Sequence, residues 1–141
     1  MRHKIKFYCK KMEISVIHGE ITHYYSDLMY VKYNEPYCYL HFTDDTKHKV
    51  EISLKYLWGN LPMNLFFRCN RATIINICYY KRYQKRPPIL VMEDDAEFRL
   101  SLRNIADFKK QKAIISCISP PCIACKNENC QNRISFVNNT N

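Results

Sequence analysis

Apolar and polar positions alternate along this chain in short runs closed by turn residues, the pattern of half-buried strands. Ile14-Ser15-Val16-Ile17 is the first run, closed by His18-Gly19-Glu20, and residues 21–25 form the next, so a hairpin is expected about Gly19. Residues 28–33 and 37–43 follow as strands separated by Asn34-Glu35-Pro36. Asp44-Asp45-Thr46 reads as a turn, and residues 47–52 return as the hairpin partner. Ser53 then changes the period: an N-cap residue precedes Leu54, Leu57, Trp58 and Leu61 at helical spacing, and Gly59 and Pro62 end the helix after about two turns. Extended character resumes at Phe66-Phe67-Arg68 and over residues 72–80. The basic run Lys81 to Arg86 ends at Pro87-Pro88, and residues 89–92 and 97–101 pair across Glu93-Asp94-Asp95-Ala96. Asn104 to Lys112, with Ile105 and Phe108 three apart and Lys109, Lys110 and Lys112 behind them, predicts a short basic helix.

The expected fold is therefore mainly β, with one short central helix and a short C-terminal helix. Residues 1–12 read as a basic lead-in, 13–112 as the folded domain, and 113–141 as a tail rich in Cys, Pro and Asn. A chain of 141 residues is one domain with room for such a tail, and its hydrophobic fraction of 47% excludes wholesale disorder. Only two glycines are present, Gly19 and Gly59, too far apart to build a phosphate-cradling loop.

Charge adds the first functional clue. A formal net charge of +9 concentrates polyanions around the protein, nucleic acid first and an anionic membrane surface second, although solubility alone also accounts for surface charge. Eight cysteines would suit a disulfide scaffold in a secreted protein. However, Met1 is followed by Arg2-His3-Lys4 with no apolar core of a signal peptide, and the apolar stretch over 113–125 is broken by Ser and Pro. The reading is cytoplasmic, with reduced thiols and no membrane partner.

Catalytic patterns are missing. Asp44/Asp45 and Glu93/Asp94/Asp95 could pair for metal or acid–base work, but each stands where a hairpin turns, so turn chemistry is the preferred reading. His3, His18, His23, His41 and His48 form no metalloenzyme motif, and His41 and His48 merely flank one expected hairpin. No nucleophile elbow is present, so no enzyme and no cofactor are expected.

The central segment Phe66 to Asn76 sets Arg68, Asn70 and Arg71 between apolar strands. Arginine carries a fixed fork of donors suited to guanine or phosphate, and asparagine pairs bidentately with adenine. Phe66, Arg68, Arg71, Ile74, Ile75 and Asn76 match the pattern F-x-R-x-H-R-S-x-I-V-N, so the segment resembles the signature of the LytTR-type DNA-binding domain of bacterial response regulators. Ser26-Asp27-Leu28-Met29-Tyr30-Val31 is similar to that family's D-I-x-Y-I strand, Ser53-Leu54-Lys55-Tyr56-Leu57 to its S-L-K-x-L helix, and Leu100-Ser101-Leu102-Arg103 to its closing V-S-x-R. The likeness runs over about residues 13–112.

That resemblance implies an elongated domain of antiparallel β-sheets that places loops in successive major grooves of double-stranded DNA. Family sites are direct repeats read by two domains, which implies a homodimer on DNA. By position, the contacting residues would be Tyr37, Asn70, Arg71, Arg103 and Asn104. Arg68 and Asn76 match the signature too and could equally hold the loop's backbone. Two departures matter: Asn70 replaces the usual His and Ala72 the usual Ser, so the DNA sequence read is expected to differ. With about a dozen residues before the match, no receiver domain is expected, and the signal would enter through expression level, a regulatory protein partner or the tail.

The tail holds Cys117, Cys122, Cys125 and Cys130, spaced C-x4-C-x2-C-x4-C, a weak zinc or iron–sulfur signal with Pro120-Pro121 stiffening the loop. Free thiols are the preferred reading. Cys69, flanked by Arg68 and Arg71, is a candidate oxidation switch through a favoured thiolate, or else a small apolar residue packed inward, which is preferred. The expected function is a stand-alone sequence-specific transcription regulator. The alternatives are a protein-interaction or anti-regulator module that has lost DNA binding, and a thiol or metal sensor acting through the tail.

Overall fold

The computed structural model describes residues 5–117, with side chains through Ala113. Among the described residues, eleven strands form three antiparallel sheets. The first sheet holds β1 (Ile5–Phe7), β2 (Lys11–Val16) and β3 (Gly19–Tyr24) in sequence order. The central sheet comprises β4 (Leu28–Asn34), β5 (Tyr37–Phe42), β6 (Lys47–Val50), β7 (Phe66–Asn70) and β8 (Thr73–Asn76), in the order β6-β5-β4-β8-β7. Helix α1 (Leu54–Asn60) connects β6 to β7. The third sheet, β9 (Tyr80–Lys85), β10 (Pro88–Met92) and β11 (Glu97–Arg99), is followed by a single 3-10 turn (Leu102–Asn104) and by α2 (Ile105–Cys117).

The mainly β architecture with a short central helix and a C-terminal helix matches the expectation. Gly19 closes the β2–β3 hairpin with φ of +141°, a conformation that L side chains rarely adopt. Ser53 caps α1, its hydroxyl accepting from the Tyr56 amide at 3.1 Å. Both acidic clusters are turns: Asp44 accepts from the Thr46 amide, Asp94 from the Ala96 amide, and Asp45 and Asp95 take φ of 69° and 71°.

Three expectations change. Residues 5–7, read as part of a basic lead-in, form β1, because Ile5 and Phe7 alternate with Lys4 and Lys6 and pack on the core. Residues 72–80 are not one extended run, since a 3-10 turn at Ile77–Tyr79 separates β8 from β9. The basic run is itself β9: Tyr80 and Tyr83 rest on the Phe108 ring at 5.3 and 5.6 Å, leaving Lys81 and Arg82 exposed. The cysteines at 122, 125 and 130 and the rest of the expected tail beyond Cys117 lie outside the described residues.

The central sheet separates two cores. Val31, Cys38, Leu40, Phe66 and Ile74 face the first sheet and α1, packing with Met12, Ile14, Leu54 and Leu57. Tyr30, Phe67, Cys69 and Ile75 face the third sheet and α2, packing with Leu90, Met92, Leu100 and Phe108. Successive residues of a strand point to opposite faces, so a run such as Thr73-Ile74-Ile75 is buried throughout because both faces are covered.

A histidine pair ties the first sheet to the central one. His23 on β3 stacks on Phe42, ring centroids 3.9 Å apart, and its Nε2 lies 3.0 Å from Nε2 of His48 on β6. His41, one register position from His48, leaves β5 on the opposite face and stacks on Tyr30 at 4.5 Å. The two are thus neighbours in register but not in space. Burial lowers the pKa of His23, opposed by Asp44 and Asp27, and burial with Lys47 and Lys32 lowers that of His41. A histidine whose pKa is lower in the folded than in the unfolded chain contributes stability above its ordinary value of 6.5, and that stability is lost as pH falls. The denaturant midpoint is therefore expected to drop between pH 7.5 and 5.5, and to drop less in a His23→Gln/His41→Gln variant. A midpoint that holds or rises on acidification would contradict this.

Candidate nucleic-acid interface

The β7–β8 turn projects from one end of the central sheet. The Tyr33 amide donates to the Ala72 carbonyl at 2.7 Å, so the β4–β5 hairpin emerges beside that turn. On the other flank the Ser101 amide donates to the Cys69 carbonyl at 2.9 Å, which brings in the segment after β11. Three loops from distant parts of the sequence therefore share one end of the sheet.

Between the β7–β8 turn and the segment after β11 lies a cleft of about 250 Å³ lined by Arg68, Asn70, Arg71, Ser101, Arg103 and Asn104. Five of the seven residues expected at the site meet there, and the cleft's lining carries no carboxylate. Arg71 and Arg103 are exposed at its rim, whereas Arg68, Asn70 and Asn104 are half-buried.

The buried and half-buried amides are occupied within the protein. Asn70 accepts from the Ala72 amide at 2.8 Å through Oδ1 and donates from Nδ2 to the Arg99 carbonyl at 2.7 Å. It therefore closes its own turn and fastens it to β11, and the bidentate grip on adenine suggested by its residue type would need both ends. Asn104 donates from Nδ2 to the Arg68 and Cys69 carbonyls at 3.2 and 3.4 Å. Gln111, two turns along α2, donates to the Met63 and Phe66 carbonyls at 2.9 and 3.0 Å. Together these amides satisfy the outer edge of β7, which has no further strand beside it. Arg68 donates from Nη2 to the Arg71 carbonyl at 3.1 Å, bracing the turn from within.

Asn76 requires a correction. Its side chain is only 1% exposed, accepting from the Cys78 amide and donating to the Leu28 carbonyl, both at 3.0 Å. It caps the 3-10 turn after β8 and pins that turn to the start of β4, and no atom of it faces the cleft. Tyr37 is not in the cleft either. It opens β5 at the same end of the sheet, two strands from β8 and thus about 10 Å away. Lys49 Nζ stands 4.4 Å above its ring.

Cys69 is fully buried, and burial pushes its thiol up to about 12. Burial of the sulfur outweighs the backbone hydrogen bonds of Cys69 and Asn70 that favour the thiolate, and Cys69 is the small packed residue of the preferred reading. Arg99 and Ser101 belong to the surface although residue type alone did not single them out. The signal available for Ser101 was its place in the closing motif.

A second cavity, of about 540 Å³, opens between the end of α1 and α2 and shares Arg68 and Asn104 with the cleft. Among the described residues no group of three or more His, Cys, Asp or Glu could hold a metal ion. None of their helices is long and apolar enough to cross a membrane.

With this geometry, the comparison with known proteins is direct. The family model of the LytTr DNA-binding domain matches residues 21–113, and the chain belongs to that family. It is thus a DNA-binding domain of the type found in bacterial response regulators, a family defined by DNA binding rather than catalysis. A solved structure of similar fold is the LytTr DNA-binding domain of a Bacillus cereus protein described as a methyl-accepting/DNA response regulator. It has a TM-score of 0.61 and 21% sequence identity, covering 72% of this chain and 95% of that one. No curated protein matches.

The structure separates residues that hold the site from residues that face out of it. Asn76→Ala is expected to cost about 2 kcal/mol of stability, because the Leu28 carbonyl and Cys78 amide lose their buried partner. Arg103→Ala is expected to stay within about 0.5 kcal/mol of the parent. Denaturant unfolding of both variants checks this, and a comparable loss for Arg103→Ala would give that residue a packing role.

Proposed function

We propose that this protein is a sequence-specific transcription regulator that reads double-stranded DNA with loops rather than with a recognition helix. Its targets are direct repeats, each half presented in a major groove and bound by one copy, so that two copies meet on DNA. The observation that carries this reading is the acid-free cleft of Arg68, Asn70, Arg71, Ser101, Arg103 and Asn104 at one end of the central sheet. Arg71 and Arg103 read bases, their guanidinium forks matching guanine O6 and N7. Asn70, Asn76, Asn104 and Arg68 act as positioning residues that hold the loops. Tyr37, on the neighbouring hairpin, contacts the sugar–phosphate backbone beside the cleft.

The net charge of +9 supports the electrostatic share of binding. Neutralising roughly 6–10 phosphates would make affinity fall steeply between low and physiological salt. Packing is consistent with loop reading, since Phe108 is fully buried against the third sheet and commits that side of α2 to the core.

Selection from random duplex DNA by the full chain at two salt concentrations is the test. An enriched direct repeat spaced near one helical turn is expected. Arg103→Ala should then bind that repeat about tenfold or more weakly while changing little on random DNA. Salt-sensitive binding with no enriched motif would reduce the protein to a DNA-coating domain, and no binding at either salt would overturn the reading.

A further inference from the structure

Leu102 is a large apolar side chain that is 76% exposed, beside a cleft lined by arginines and free of carboxylates. It stands between Ser101 and Arg103, both of which line the cleft. Looseness does not explain this exposure. The Ser101 amide is bonded to the Cys69 carbonyl and the Asn104 amide to the Ser101 carbonyl, both at 2.9 Å, so the turn is pinned at both ends. The core beneath it is full, with Leu100 1% and Phe108 0% exposed.

The direction of the side chain follows from the local helix. In a 3-10 turn of three residues, successive side chains leave the axis roughly 120° apart. Asn104 takes the inward direction, toward the Arg68 and Cys69 carbonyls. Leu102 and Arg103 therefore share the outward side, an apolar knob next to a guanidinium fork. An apolar protein surface docking there would strand Arg71 and Arg103 without acceptors, at a desolvation cost. The edge of a DNA major groove satisfies both groups, because it offers guanine acceptors together with one apolar feature, the C5-methyl group of thymine.

Building on the DNA-reading assignment above, we infer that Leu102 is a specificity-determining residue that contacts the C5-methyl group of a thymine adjacent to the base read by Arg103. The pair reads two neighbouring base pairs, Arg103 by hydrogen bonds and Leu102 by apolar contact.

The test uses the duplex enriched by the full chain, with each thymine replaced in turn by deoxyuridine, which removes only the methyl group and keeps every hydrogen-bonding atom. At one thymine the parent protein should lose about fourfold in affinity, the factor that corresponds to burying one such group. Leu102→Ala should bind the thymine duplex about fourfold more weakly than the parent and treat thymine and uracil alike at that position. Arg103→Ala, weakened for its own reason, should keep the parent's preference for thymine there. A parent that enriches a motif but is indifferent to every uracil overturns the inference while leaving the DNA-reading assignment standing, and so does a Leu102→Ala variant that keeps the parent's thymine preference. A parent that enriches no motif overturns both.

Discussion

Ile74 and Ile75 are both fully buried, yet they leave β8 in opposite directions, so this strand has no solvent face. That constraint organises the molecule. The first sheet and α1 must cover one side of the central sheet, and the third sheet and α2 must cover the other. A one-residue slip of β8 against β4 or β7 would send each side chain into the wrong core, so the register is strongly specified. The turn that follows from this register, Asn70 to Thr73, emerges at a fixed place and carries Arg71.

Within that frame, side-chain length divides the work. Asparagine and glutamine amides are short, carry donors and an acceptor, and lie close to backbone at Asn70, Asn76, Asn104 and Gln111, where each satisfies one or two backbone groups. The long guanidinium side chains of Arg71 and Arg103 stand at the rim and remain exposed. A partner that approaches this end meets charged groups on a backbone that has little freedom left to adapt, which lowers the ordering cost of recognition. The outer edge of β7 is covered by two of these amides, Asn104 and Gln111, so edge protection and site geometry share residues.

Much of this was legible along the chain. Strand alternation, the Ser53 cap, the Asp44 and Asp94 turns and the apolar faces of the short helices are local properties, and local chemistry announces them. The segment from Phe66 to Asn76 could be recognised because its apolar and charged positions keep a fixed spacing. Strand β9 was less legible, since Lys81, Arg82 and Lys85 dominate its composition while Tyr80 and Tyr83 declare themselves only against Phe108, far away in sequence. At Cys69 two readings stood open along the chain, and burial settles them for the inward-packed one that the usual behaviour of cysteine favoured.

By itself, then, the sequence determined the elements, the basic character and the set of residues around the central turn, because capping, period and charge depend on near neighbours. Only the tertiary structure decided which of those residues face outward. Asn76 and Arg103 both carry polar side chains in matched motifs, but one is enclosed between the ends of β4 and β8 and the other stands at the rim of a cleft. That difference arises from pairing strands and loops dozens of residues apart, and no window along the chain contains both sides of such a contact.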